Sequence, residues 1–162
     1  MSTVLKERVT VTTDEKFVVF LIGMRFNSLW KIHKWLPVAR SMTHMITELY
    51  AQTESGFLSH EMAVGKTLIL VQYWRSIEQL QDYSHSTSKA HRPAWKAFNN
   101  AVGSNGDVGI WHETYPVRPG EYECVYNNMP LFGLGSAFGV TSATGTLTNA
   151  KQRLTRAVKQ VS

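Results

Sequence analysis

The sequence predicts a single α+β domain in which two long helices cover one face of an antiparallel sheet. Three observations predict it: a continuous apolar run at residues 16–26, two long stretches of helix-like apolar spacing, and a pair of strand-like runs between those stretches. At 162 residues, with 43% apolar and 18% charged side chains, the chain is one domain long and has enough apolar material for a core.

Residues 1–15 are polar and unpatterned and read as an arm or a packing strap. The run KFVVFLIGMRF (16–26) is rich in β-branched and aromatic side chains, the signature of a central strand buried on both faces. Gly23 interrupts it, marking a bulge or a close backbone approach. Asn27 and Ser28 offer helix caps, and Leu29, Trp30, Ile32, Trp35 and Leu36 then follow a helical spacing. Pro37 has no N–H to donate and should kink or restart the helix. Val38, Met42, Met45, Ile46, Leu49 and Tyr50 carry the stripe on to about Gln52.

Residues 57–64 and 66–74 flank Gly65 as a hairpin. Ser76 and Gln79 form a capping-box pattern that opens a helix over about 77–102, striped by Ile77, Leu80, Tyr83, Ala90, Ala94, Trp95 and Phe98. After a GSNG turn, residues 107–115 read as a strand, 116–120 as a turn, and 122–126 as a short strand. The Gly-rich stretch 133–145 has no strong period and reads as a long covering loop, and a last helix spans roughly 147–160. The order is the ferredoxin-like β-α-β-β-α-β, with an extra C-terminal strand and helix. Three segments result: an arm (1–15), the ferredoxin-like domain (16–130), and a Gly-rich loop with a helix on that domain (131–162). The helix-free sheet face must also be covered, and a second subunit packed sheet to sheet, as in a dimeric α/β barrel, is one solution.

One cysteine, Cys124, excludes an internal disulfide and a cysteine-cluster metal site. No run reaches the ~18–20 apolar residues of a membrane span. The expectation is a cytoplasmic protein without a membrane partner. The net charge of +5 comes from scattered basic residues, so no specific nucleic-acid partner is expected. The stripe Lys151, Arg153, Arg156 and Lys159 reads as a solvated helix face.

Several phrases carry a resemblance: GMRFN (23–27), YWRSIEQLQDYSH (73–85), HRPAWKAFN (91–99), GIWHETYPVRPGEYECVYNNMP (109–130) and LFGLG (131–135). Together they resemble a monooxygenase-like family whose named member is a fungal monooxygenase of a terpenoid pathway. The resemblance implies a dimeric α/β barrel with a pocket between helices and sheet. Some members of that superfamily oxidise electron-rich aromatic substrates with dioxygen and no added cofactor, and others bind haem. His91 is similar to the ligand histidine of the haem-degrading barrels, although the lysine-x-alanine-histidine phrase lacks its intervening residue here. Asn27 is similar to their pocket asparagine, and Trp74 or Tyr83 to their pocket aromatic.

Of the six histidines, His91 and His112 are the candidate acid–base residues. His85 and His91 lie six residues apart, about 240° net on a helix, so they cannot chelate together. On a strand, His112 and Thr114 share one face, and Trp111, Glu113 and Tyr115 the other. His60 and the adjacent Glu61 would likewise point opposite ways. Asn27 and Arg25 are candidates for holding developing negative charge. Met24, Trp35, Met42, Trp74, Tyr83, Trp95 and Trp111 are candidates to line a pocket for a small apolar or aromatic ligand.

Three functional readings remain open. The first is a cofactor-independent oxygenase using His112 or His91, with Asn27 or Arg25 stabilising charge. The second is a haem protein ligated by His91 or His112. The third is a non-enzymatic carrier or sensor of an apolar ligand. A homodimer is expected in each, and no metal ion outside haem.

Overall fold

The computed structural model describes residues 3–85 and 106–159. In chain order they form β1 (Leu5–Thr10), β2 (Phe17–Phe26), α1 (Ile32–Ala51), β3 (Phe57–Val64), β4 (Thr67–Trp74), α2 (Ile77–His85), β5 (Val108–Val117), β6 (Tyr126–Met129), α3 (Leu134–Phe138), β7 (Thr141–Ser142) and α4 (Ala150–Lys159). The main sheet is antiparallel in the order β3-β4-β2-β5. With α1 and α2 as the connections on one face, this is the ferredoxin-like topology the sequence predicts.

Alternation along β2 divides the chemistry. Val18, Phe20, Ile22, Met24 and Phe26 join Val38, Met42, Ile46 and Leu49 of α1 and Leu80 and Tyr83 of α2 in the main core. Leu68, Leu70 and Trp74 of β4 belong to the same layer. Phe17 and Val19 point the other way, into a second core with Val11, Tyr73, Val117, Tyr122, Leu134 and Phe138. Gly23 is on this second side. A Cβ there would collide with the Trp111 indole and come within 2.9 Å of the Leu68 carbonyl, so the close backbone approach read from the sequence is real.

Several boundaries differ from the sequence expectation, each for a local reason. Asn27 and Ser28 do not cap α1, whose N-cap is Lys31. Their backbone N–H groups instead donate to the Asp107 carbonyl, both at 3.1 Å, and stitch the end of β2 to the start of β5. Pro37 does not break α1. Near the helix start it costs one backbone hydrogen bond, and packing of the apolar stripe outweighs that. β5 continues through Pro116, which β5 tolerates as an edge strand. The short strand expected at 122–126 lies at Tyr126–Met129.

The N-terminal arm is a strap. β1 is the central strand of a small sheet, β6-β1-β7, over one end of the main sheet. The Gly-rich stretch is not a plain loop, since it contains α3 and β7. The Gly133 N–H donates to the Glu61 carboxylate at 2.7 Å and ties α3 to β3. In α4, Arg153 is not part of a solvated face. It is buried, its Nε donates to Glu123 at 2.6 Å, and its Nη1 donates to the carbonyls of Leu147 and Thr148. No helix of the described residues is long and apolar enough to cross a membrane.

Candidate active site on the helix-facing side of the sheet

The helix-facing layer brings together five of the expected pocket residues: Met24, Trp35, Met42, Trp74 and Tyr83. Its side chains are almost all aliphatic, aromatic or Met, so the few polar groups among them stand out. Trp74 is fully buried, and its indole N–H donates to Gln72 Oε1 at 3.0 Å. Phe57, Trp74 and Tyr83 form a run of rings, with centroids 5.4 Å and 5.7 Å apart. The Tyr83 hydroxyl lies beside the Glu48 carboxylate of α1; burial, and then that negative charge, push the phenol's pKa up. Glu48 also accepts from Gln52 Nε2 at 3.1 Å.

Two histidines stand at opposite edges of this layer. His112 is on edge strand β5, paired with Ile22 of β2, and its ring is 5.8 Å from that of Phe20. It is exposed, with a path to solvent on one side and the apolar layer on the other. His60 is on edge strand β3, half-buried, with Nδ1 3.0 Å from the Tyr50 hydroxyl. Burial lowers its pKa, against an opposing pull from Glu61, and favours the neutral imidazole. The sequence sets the His60–Glu61 pair aside as a joint site because adjacent strand residues alternate between faces. That same alternation turns Glu61 away, toward α3, and leaves His60 on the helix side.

The remaining candidates are elsewhere. Arg25 and Trp111 lie on the opposite sheet face, opposite Thr67 and Gly23 respectively, and Arg25 Nη1 donates to the Thr67 hydroxyl at 3.3 Å. Asn27 is exposed and its amide donates to the Gly106 carbonyl at 3.0 Å. The structure therefore does not bring Arg25 or Asn27 to His112. His91 and Trp95 lie outside the described residues. Among the described residues no cluster of three His, Cys, Asp or Glu side chains could hold a metal ion.

Comparison with known proteins adds the lineage. The model of the family described as Monooxygenase af470-like matches residues 17–134. This chain belongs to that family. Monooxygenase af470 of Aspergillus fumigatus is 24% identical over 127 residues, which cover 73% of this chain and 45% of that protein. The chain thus spans about half the length of the curated relative it matches. A solved aldoxime dehydratase superposes with a TM-score of 0.63 at 13% identity, over 85% of this chain and 43% of that one. A second aldoxime dehydratase, in complex with butyraldoxime, superposes at 0.61 with 14% identity, over 83% and 39% of the two chains. These likenesses are of fold. The family match runs from the start of β2 to the start of α3, and so includes both edge histidines and the Glu61–Gly133 tether.

Proposed function

We propose that this chain is a monooxygenase-like enzyme that oxidises a small apolar or aromatic substrate with dioxygen, without a bound cofactor. Membership of the family supports the reaction class. The observation that carries the site is the position of His112, open to solvent on one side and against Phe20 on the other, at the rim of an apolar layer. An apolar surround weakens the hydration of an oxyanion or carbanion and favours electron loss from it. His112 would take the acidic proton of an activated CH2 group. The carbanion passes one electron to dioxygen, the radical pair joins as a hydroperoxide, and loss of water leaves a ketone. CH2 and O2 become C=O and H2O, so the substrate is the only reductant needed. Arg25 and Asn27 take no part in this scheme.

Oxygen uptake with a panel of electron-rich phenols and anthrones tests it. Uptake that falls in His112→Gln supports the proposal, and no uptake above buffer with any substrate leaves the carrier reading in its place. Haemin titration tests cofactor independence: a sharp, saturable Soret band lost on changing His91 or His112 would replace it with haem chemistry.

The same proposal includes a homodimer through the opposite sheet face. There Leu21, Ile69, Val71 and Trp111 are only half-buried and Tyr115 is exposed. Light scattering of wild type and Val71→Lys checks it, with a dimer expected only for the former.

A further inference from the structure

We infer that the end of the main sheet carrying the β2–α1 connection docks on an anionic lipid surface. The segment Leu29–Trp30–Lys31–Ile32 puts large apolar side chains in water: Trp30 is 95% exposed, and Leu29 and Ile32 are each more than half exposed. Val64, 72% exposed at the tip of the β3–β4 hairpin, is at the same end, where the Phe26 N–H donates to the Lys66 carbonyl at 3.0 Å.

This connection is fixed in place. Ser28 Oγ donates to Asp107 at 3.1 Å, the Lys31 N–H donates to the Ser28 carbonyl at 3.2 Å, and the Trp35 indole donates to the Leu29 carbonyl at 3.0 Å. Trp35 is itself seated edge-on against Phe26, with centroids 5.0 Å apart. The Trp35–Leu29 hydrogen bond anchors the backbone immediately before the exposed Trp30. An exposed indole beside aliphatic side chains, on a braced backbone, suits the headgroup region of a bilayer, where the ring's apolar body and N–H are both satisfied.

Charge identifies the lipid. Within residues 24–35, 62–69 and 106–110 the cations are Arg25, Lys31, Lys34 and Lys66, and the one carboxylate is Asp107. Asp107 is buried and occupied by Lys31 Nζ at 2.8 Å and 2.9 Å and by Ser28. Among the described residues no carboxylate forms an ion pair with Arg25, Lys34 or Lys66. An apolar wedge at the same end as the cations Arg25, Lys34 and Lys66 complements an acidic bilayer surface, and neither element alone anchors firmly. The absence of a membrane partner was expected from the lack of a spanning run, which does not bear on a protein lying at the interface.

Co-sedimentation of the full chain with phosphatidylcholine vesicles, with and without phosphatidylserine, tests the inference. Binding is expected only with phosphatidylserine, weakening as salt rises. Trp30→Ser and, separately, Lys34→Glu with Lys66→Glu should each lower the partition coefficient about tenfold or more. All three positions lie outside the Phe20–His112 site, and an unchanged circular-dichroism melt would show that each variant is folded. No sedimentation of wild type with either vesicle overturns the inference, as does binding that Trp30→Ser leaves intact. So does a loss in Trp30→Ser of self-association rather than vesicle binding, which would make a second copy the occupant.

Discussion

The two faces of the main sheet are built from the same strands, yet they are covered differently. Among the described residues, the helix-facing side is an apolar layer whose polar groups include Gln72, Tyr83, Glu48 and the two edge histidines. The opposite side is divided along its length. One end is roofed by the β6-β1-β7 sheet and α3, and the rest holds Leu21, Ile69, Val71 and Trp111 half-buried. A face buried against helices of its own chain can specify a site within that chain. A face half left open invites a second layer from outside it.

If that division holds, substitutions should separate stability from function by face. The largest effect on stability is expected for Trp74→Ala, which removes a fully buried indole and strands Gln72. It should cost about 3–5 kcal/mol in chemical denaturation. His112→Gln should do the reverse. Its oxygen-uptake rate should fall ~10²-fold or more, while stability moves by less than about 0.5 kcal/mol, because the ring is exposed. An equal loss of both would make His112 structural and break the comparison.

On the opposite face, Gly23→Ala should cost about 1–3 kcal/mol, since the added methyl meets the Trp111 ring and the Leu68 carbonyl. The cost should shrink in a Trp111→Ala background without vanishing, because the Leu68 carbonyl remains. Additive effects would mean that Trp111 does not lie over Gly23. The smallest effect concerns pH. His60 has its pKa lowered by burial in the folded chain, so the unfolded chain binds more protons between that lowered value and about pH 6.5. Its contribution to stability therefore declines as pH falls through this window. His60→Gln should flatten the slope in denaturation series across the window, and an unchanged slope would assign it to other groups.

Much of this was legible in local pattern. The two-sided apolar run at 17–26 is written in its own composition, and the Gly65 hairpin and the Ser76 cap, whose hydroxyl accepts from the Gln79 N–H at 3.2 Å, rest on contacts close in sequence. The alternation that separates His112 from Trp111 is a property of any strand and needs no neighbour. The Gly-rich stretch was misread because α3 is stabilised by packing under Tyr73 and Tyr126 rather than by its own propensity. Arg153 was misread because only the fold brings Glu123 to it.

The sequence by itself determined the strand and helix order of the ferredoxin-like unit, the opposite facing of neighbouring strand residues, and the family, since all three reside in periodicity and short motifs. Tertiary structure alone decided which expected site residues share a layer. It put Met24, Met42, Trp74 and Tyr83 together, left Arg25 across the sheet, and raised His60 to notice through Tyr50. The reason is physical: the facing of a side chain is a one-strand property with period 2, whereas the identity of its neighbours depends on pairings between segments tens of residues apart.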